Sequence, residues 1–185
     1  MATIHRTTME PTKLELLVDW LPRQEWYRTD GAGELERAGG FRLDDPAGEV
    51  GIELMVVTDG RAAYLVPMSY RGAPLDGAPA QALIGTSEHG VLGTRWIYDG
   101  EHDPVVREQL AALLGGKAEP QMQSESDRPD PTVAVGAVPA SVAGVALRRV
   151  LSPGAGEPAA GEVVAGYTAP DGSAVRAVFA AAVTG

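Results

Sequence analysis

Six titratable residues crowd one short stretch of the chain: Glu88, His89, Asp99, Glu101, His102 and Asp103. Carboxylates and imidazoles hold divalent metals and pass protons, so metal or acid–base chemistry would be built here if the two ends of the stretch met in space. Between them Gly93 to Tyr98 reads as a strand, and six extended residues hold their ends about 20 Å apart. A histidine beside a helix N-cap is also an ordinary surface arrangement. Solvated loop acids are the simpler reading, and no catalytic residue and no metal ligand is assigned. A small metal- or acid/base-dependent enzyme using Glu88, His89, His102 and Asp103 stays as the alternative. The third histidine, His5, stands alone near the N-terminus.

Other catalytic patterns fail on composition. A phosphate-binding loop needs Gly-x-x-x-x-Gly-Lys-[Ser/Thr], so that backbone amides and a lysine surround the phosphates. The two lysines, Lys13 and Lys117, lack that context. There is no cysteine, hence no thiol nucleophile, thiolate metal site or disulfide. There is no Gly-x-Ser-x-Gly elbow and no His-Glu-x-x-His helix. Asp44-Asp45 before Pro46 reads as a turn. Glu49 and Glu53 lie on a strand whose other face is apolar, which disfavours a glycosidase pair. No cofactor is expected.

Recognition chemistry is better represented. Trp20, Trp26, Tyr27, Trp96 and Tyr98 could stack on sugar faces, and Arg23 and Arg95 could donate to hydroxyls or phosphate. Large aromatics at a helix end and on a strand more often form core, the reading preferred for Trp20 and Trp96. The residues kept as a candidate binding set are Arg23, Trp26, Tyr27 and Arg95.

These residues need positioning elements. Thr12-Lys13-Leu14-Glu15 has the form of a capping box. Leu14, Leu17, Val18 and Leu21 follow at helical spacing, and Pro22 ends the helix. Arg28 to Gly40, with four glycines, reads as a loop. Val50–Thr58 and Arg61–Tyr70 flank Asp59-Gly60, the signature of a hairpin with a type I′ turn. Ile52, Leu54 and Val56 share one face of the first strand; Tyr64, Val66, Met68 and Tyr70 share one face of the second. Pro67 must direct its nitrogen away from a partner, at an edge or bulge. After the Gly93–Tyr98 strand, Asp103 caps a helix with Pro104 in its first turn, Val106, Leu110, Leu113 and Leu114 on its apolar stripe, and Gly115-Gly116 as its stop.

Composition then shifts. Lys117 to Pro131 is polar and Pro-punctuated, which reads as a linker. Beyond it the chain is rich in Ala, Val and Gly, with strands expected at 132–135, 142–149, 162–167 and 174–183, the last with a helical alternative. Pro170-Asp171-Gly172-Ser173 marks a turn. The reading is an α+β fold: an antiparallel sheet with flanking helices in residues 1–116, a linker at 117–131, and a smaller β-rich part in 132–185. That last part has too few strands to stand alone and should pack on the first sheet or pair with another chain.

The run Trp20-Leu21-Pro22 to Trp26-Tyr27 resembles the start of the maltokinase N-terminal cap domain. So does Glu88-His89-Gly90-Val91-Leu92-Gly93 leading to Tyr98-Asp99-Gly100. The likeness covers the first part and implies a stand-alone actinobacterial form without the kinase lobes, with no family catalytic residue to place in this chain. It further implies a non-catalytic accessory or regulatory module of glycogen, maltose or trehalose metabolism that binds a glycan or a partner such as a maltokinase, trehalose synthase or branching enzyme. A homo-oligomeric structural protein is the blander alternative. The formal net charge of −10 disfavours nucleic acid and anionic membrane as partners. Met1 to Pro11 has no signal-like apolar run, and no stretch is long enough to span a bilayer, so the cytoplasm is the expected compartment.

Overall fold

A computed structural model describes residues 8–28, 34–125 and 127–184; His5 lies outside them. Among the described residues the chain folds into one eleven-stranded, wholly antiparallel sheet with two α-helices, the α+β arrangement expected. The elements are β1 (Met9–Glu10), α1 (Lys13–Trp20), β2 (Glu36–Leu43), β3 (Gly51–Thr58), β4 (Ala63–Arg71), β5 (Leu83–His89), β6 (Gly93–Asp99), α2 (Pro104–Leu114), β7 (Ala134–Val135), β8 (Gly144–Leu147), β9 (Val150–Leu151), β10 (Glu162–Thr168) and β11 (Ala174–Val183). In space the strands run β1-β5-β6-β4-β3-β2-β10-β11-β8. β7 adds to β10, and β9 returns to pair with β4.

That return bends the sheet back on itself. β8 and β9 are nearly one strand, yet the first pairs with β11 and the second with β4. Strands β4, β3, β2, β10, β11 and the β8–β9 segment therefore enclose one apolar interior, filled by Phe41, Leu54, Leu65, Val163 and Phe179 among others. Val106, Leu110, Leu113 and Leu114 of α2 join this core. A second core lies on the outer face of β3 and β4, where Met55, Val57, Tyr64, Val66 and Met68 meet Leu17, Trp20 and Leu21. β3 and β4 are thus buried on both faces, which is why they read as nearly continuous apolar runs.

Local signals explain most element ends. Thr12 and Glu15 form the reciprocal capping box of α1, and α1 passes at Leu21 into a 3₁₀ turn containing Pro22. Leu17 and Leu21 are buried as the helical spacing requires, but Val18 is 54% exposed: the buried stripe passes through Trp20 instead. Asp103 accepts from the Val105 amide at 3.0 Å ahead of Pro104. Asp59 and Gly60 do mark a hairpin, but ladder pairing stops at Thr58–Ala63, leaving a four-residue loop rather than a two-residue type I′ turn. The Asp59 carboxylate takes the Arg61 and Ala62 amides at 3.0 and 2.9 Å, and Gly60 adopts φ +84°. Pro67 lies in an interior strand, in the gap between the β9 and β6 pairings of β4, so its missing donor costs no ladder bond.

Two elements depart from the expected pattern. β2 begins at Glu36, inside the segment read as a loop, and β5 precedes the Gly93–Asp99 strand as its hairpin partner. Gly39 and Gly40 serve a β-bulge there rather than a loop: the β2–β3 register slips between Arg37 and Gly39, and both glycines have positive φ. A Cβ on Gly40 would lie 2.0 Å from the Leu54 carbonyl oxygen, so no other residue fits. Gly39 also faces Tyr167 of β10, the pairing through which the sheet passes from β2 into β10.

Candidate functional site

The bulge builds a cavity. Arg37 and Arg42 are an odd number of positions apart and in a regular strand would point to opposite faces. The extra residue between them brings both to the outer face of the sheet, where they line a cavity of about 530 Å³. Lys13 at the start of α1, Gly51 and Glu53 of β3, Tyr70 of β4 and Arg95 of β6 complete its polar and aromatic wall, with Gln123 from the 117–131 segment. Gly51 stands opposite Tyr70, and the absent side chain leaves room for the Tyr70 ring.

Glu53 is the hub. It is 4% exposed, and Lys13 Nζ approaches its Oε2 at 2.5 Å. The Tyr70 hydroxyl donates to the same oxygen at 2.6 Å, while Gln123 Nε2 donates to Oε1 at 2.8 Å. Arg37 holds Gln123 in turn, donating to its Oε1 at 2.6 and 3.2 Å. Burial pushes the Glu53 carboxyl up, but the Lys13 charge, the Lys13 and Tyr70 hydrogen bonds and the Arg37 charge outweigh it, holding the acid below its usual range. The Tyr70 phenol is pushed far up, first by burial and then by the carboxylate it faces.

The candidate binding residues divide between two places. Arg95 lines the cavity. Arg23, Trp26 and Tyr27 lie near the other end of β4: Tyr27 and Trp26 pack on Tyr64 with ring centroids 5.0 and 6.1 Å away. Six strand residues separate Tyr64 from Tyr70, about 20 Å, so the four do not share one pocket. Trp20 is buried, its Nε1 donating to the Gln81 carbonyl at 3.0 Å, as the core reading requires. Trp96 is only half-buried and joins neither core, whereas Tyr98 is buried and accepts from the Leu75 amide. Tyr27 is 8% exposed, Trp26 is half-buried and Arg23 is exposed. Under Trp26 lies Arg149, 5.1 Å from the ring centroid. Its Nη2 bonds both Asp99 carboxylate oxygens at 2.7 and 2.6 Å and Glu101 at 2.7 Å, tying β6 to the segment joining β8 and β9.

The Glu88–Asp103 acids and His89 are drawn into separate structural tasks, while His102 is exposed. Glu88 accepts from the Thr94 hydroxyl, His89 Nδ1 from the Val91 and Leu92 amides, and Asp99 is held by Arg149. Asp103 is fully buried and takes a fork from Arg71 at 2.6 and 2.7 Å. Among the described residues no group of three or more His, Asp or Glu side chains could hold a metal ion. Asp45 folds its own turn, accepting the Ala47, Glu49 and Val50 amides.

Glu53, Lys13, Arg37 and Gln123 were missed as site residues. One signal was present in the sequence: Glu53 shares alternation with Met55 and Val57, so it belongs to a buried face rather than a solvated one. Gln123, remote in sequence and inside a polar segment, carries no such signal.

Comparison with known families places a boundary around this assembly. Residues 20–103, from the last residue of α1 to the cap of α2, match the family model of the maltokinase N-terminal cap domain. The match spans the Trp20–Tyr27 run, the bulge, the β3–β4 hairpin and Arg95, while Lys13 and Gln123, which fix Glu53, lie on either side of it. No curated protein matches the chain. No helix among the described residues is long and apolar enough to cross a membrane. The matched domain is a cap, not itself a catalytic region, and residues 20–103 of this chain are similar to it.

Proposed function

We propose that this chain is a non-catalytic accessory module of glycogen, maltose or trehalose metabolism that works by binding a partner enzyme. The carrying observation is the match of residues 20–103 to the cap of maltokinases, a domain type that accompanies a kinase without performing its chemistry. The candidate partners are a maltokinase, a trehalose synthase or a branching enzyme. Arg23 and the accessible edge of Trp26 form the docking point, with Arg149 under the tryptophan ring and Tyr27 packed beside it on Tyr64. The compartment consistent with such partners is the cytoplasm.

The test is capture of purified maltokinase, trehalose synthase and branching enzyme on the immobilised chain, repeated with Trp26→Ala and Arg23→Ala. Capture of one of the three, weakened about tenfold by Trp26→Ala, supports docking. If none is captured, or if Trp26→Ala lowers the melting temperature while capture is unchanged, the docking reading fails.

A further inference from the structure

The cavity at the bulge is lined by more cations than carboxylates. In a chain of net charge −10, four cations (Lys13, Arg37, Arg42 and Arg95) face a single carboxylate, Glu53. That carboxylate is already engaged: Lys13 and Tyr70 bond one oxygen and Gln123 the other. Arg37 donates only to the neutral amide oxygen of Gln123 and makes no ion pair among the described residues. Arg95, half-buried over Gly72, likewise has no acidic partner there. Guanidinium groups gathered in a hollow repel one another unless an anion joins them, and their planar donors suit phosphate. The hollow's volume of about 530 Å³ is that of a small-molecule site, and its walls are mixed, with Met9, Leu14 and Leu92 beside the polar groups.

We propose that this cavity binds a small phosphorylated metabolite. Arg37 and Arg95 hold the phosphate, and the Gln123 amide and Tyr70 rim contact its uncharged, hydroxylated body. Glu53 is a positioning residue: it fixes Lys13, Tyr70 and Gln123 around the hollow and keeps that wall in place without ligand. The proposal goes beyond partner docking, because it concerns the opposite end of β4 and requires no second protein.

The experiment is calorimetric titration of the full chain with inorganic phosphate, glucose 6-phosphate, adenosine monophosphate, glucose and a deca-glutamate peptide, at low and high salt. The expected result is binding of at least one phosphorylated probe, no comparable binding of glucose, and affinity that falls as salt rises. Arg95→Gln and Arg37→Gln should each weaken it about tenfold, the worth of one charge-assisted contact. Arg107→Gln, an exposed α2 arginine, removes the same charge at no cost to binding. Thermal melts accompany each variant, and Arg95→Gln decides the matter if Arg37→Gln loses its fold. Absence of phosphate-dependent binding overturns the proposal. So does equal binding of glucose and glucose 6-phosphate, equal loss in Arg107→Gln, or binding of the peptide alone, which would make the hollow a receptor for a protein's acidic side chains.

Discussion

Replacing Lys13 by Met isolates the energetics of the Glu53 hub. The substitution keeps the length and helix propensity of the side chain but removes the charge 2.5 Å from Glu53. Stripping one partner from a buried ion pair costs about 3–5 kcal/mol when the other charge is left alone. Here Lys13 is 31% exposed and Glu53 keeps the Tyr70 and Gln123 hydrogen bonds, so about 1–2 kcal/mol is expected at pH 7. For a chain of this length that lowers the melting temperature by about 2–8 °C. The sign of the pH dependence follows from the lowered Glu53 value. Its ionised form stabilises the fold above the usual carboxylate range near pH 4.3, and that contribution is lost as pH falls through the lower native value. Lys13→Met raises the native value, so the variant begins to lose stability at higher pH than the parent. The gap between them is full at pH 7 and closes once the carboxyl is protonated in both. Calorimetric melts from pH 3.5 to 7.5 measure it, with Glu53→Gln as the background in which Lys13→Met should cost almost nothing. A gap that is absent at pH 7, or the same size at pH 4 as at pH 7, would refute the hub.

Three further outcomes follow from the structure. Arg149→Met leaves Asp99 buried without its cation and removes the support under Trp26; a loss of about 3–5 kcal/mol is expected in urea unfolding, and a loss below about 1 kcal/mol would show that the tie between β6 and the β8–β9 segment is not structural. Gly40→Ala places a methyl group against the Leu54 carbonyl and strains a φ of +119°, so the variant should express as an unfolded or strongly destabilised chain, read by circular dichroism. The Tyr64 phenol, pushed up to about 12 by burial and then by Asp59, should ionise late in an ultraviolet titration. Because a raised phenol value stabilises the fold below about pH 10 and is lost as pH climbs toward 12, melting temperatures should fall across that interval, and Tyr64→Phe should flatten the fall.

What the linear chain determined was local. The Thr12–Glu15 capping box, the Asp103 N-cap, the helix end at Pro22 and the Asp59-Gly60 and Asp171-Gly172 turns depend on residues a few positions apart, and each appears where its residues stand. The Trp20–Tyr27 run was enough to indicate the cap domain that the family comparison places at residues 20–103. The return of β9 to β4 and the passage of the sheet through Gly39 and Tyr167 were set elsewhere, by pairings between residues far apart in sequence. The cavity follows the same logic. Arg37 and Arg42 reach one face only because Gly39 and Gly40 yield a bulge against β3, and a glycine pair in a sequence looks like a loop until its partner strand is known. Glu53 takes its place from Lys13, 40 positions before it, and Gln123, 70 positions after it. Alternation along a strand assigns a side chain to a face; which charges wait on that face is decided only when the sheet has brought distant segments together.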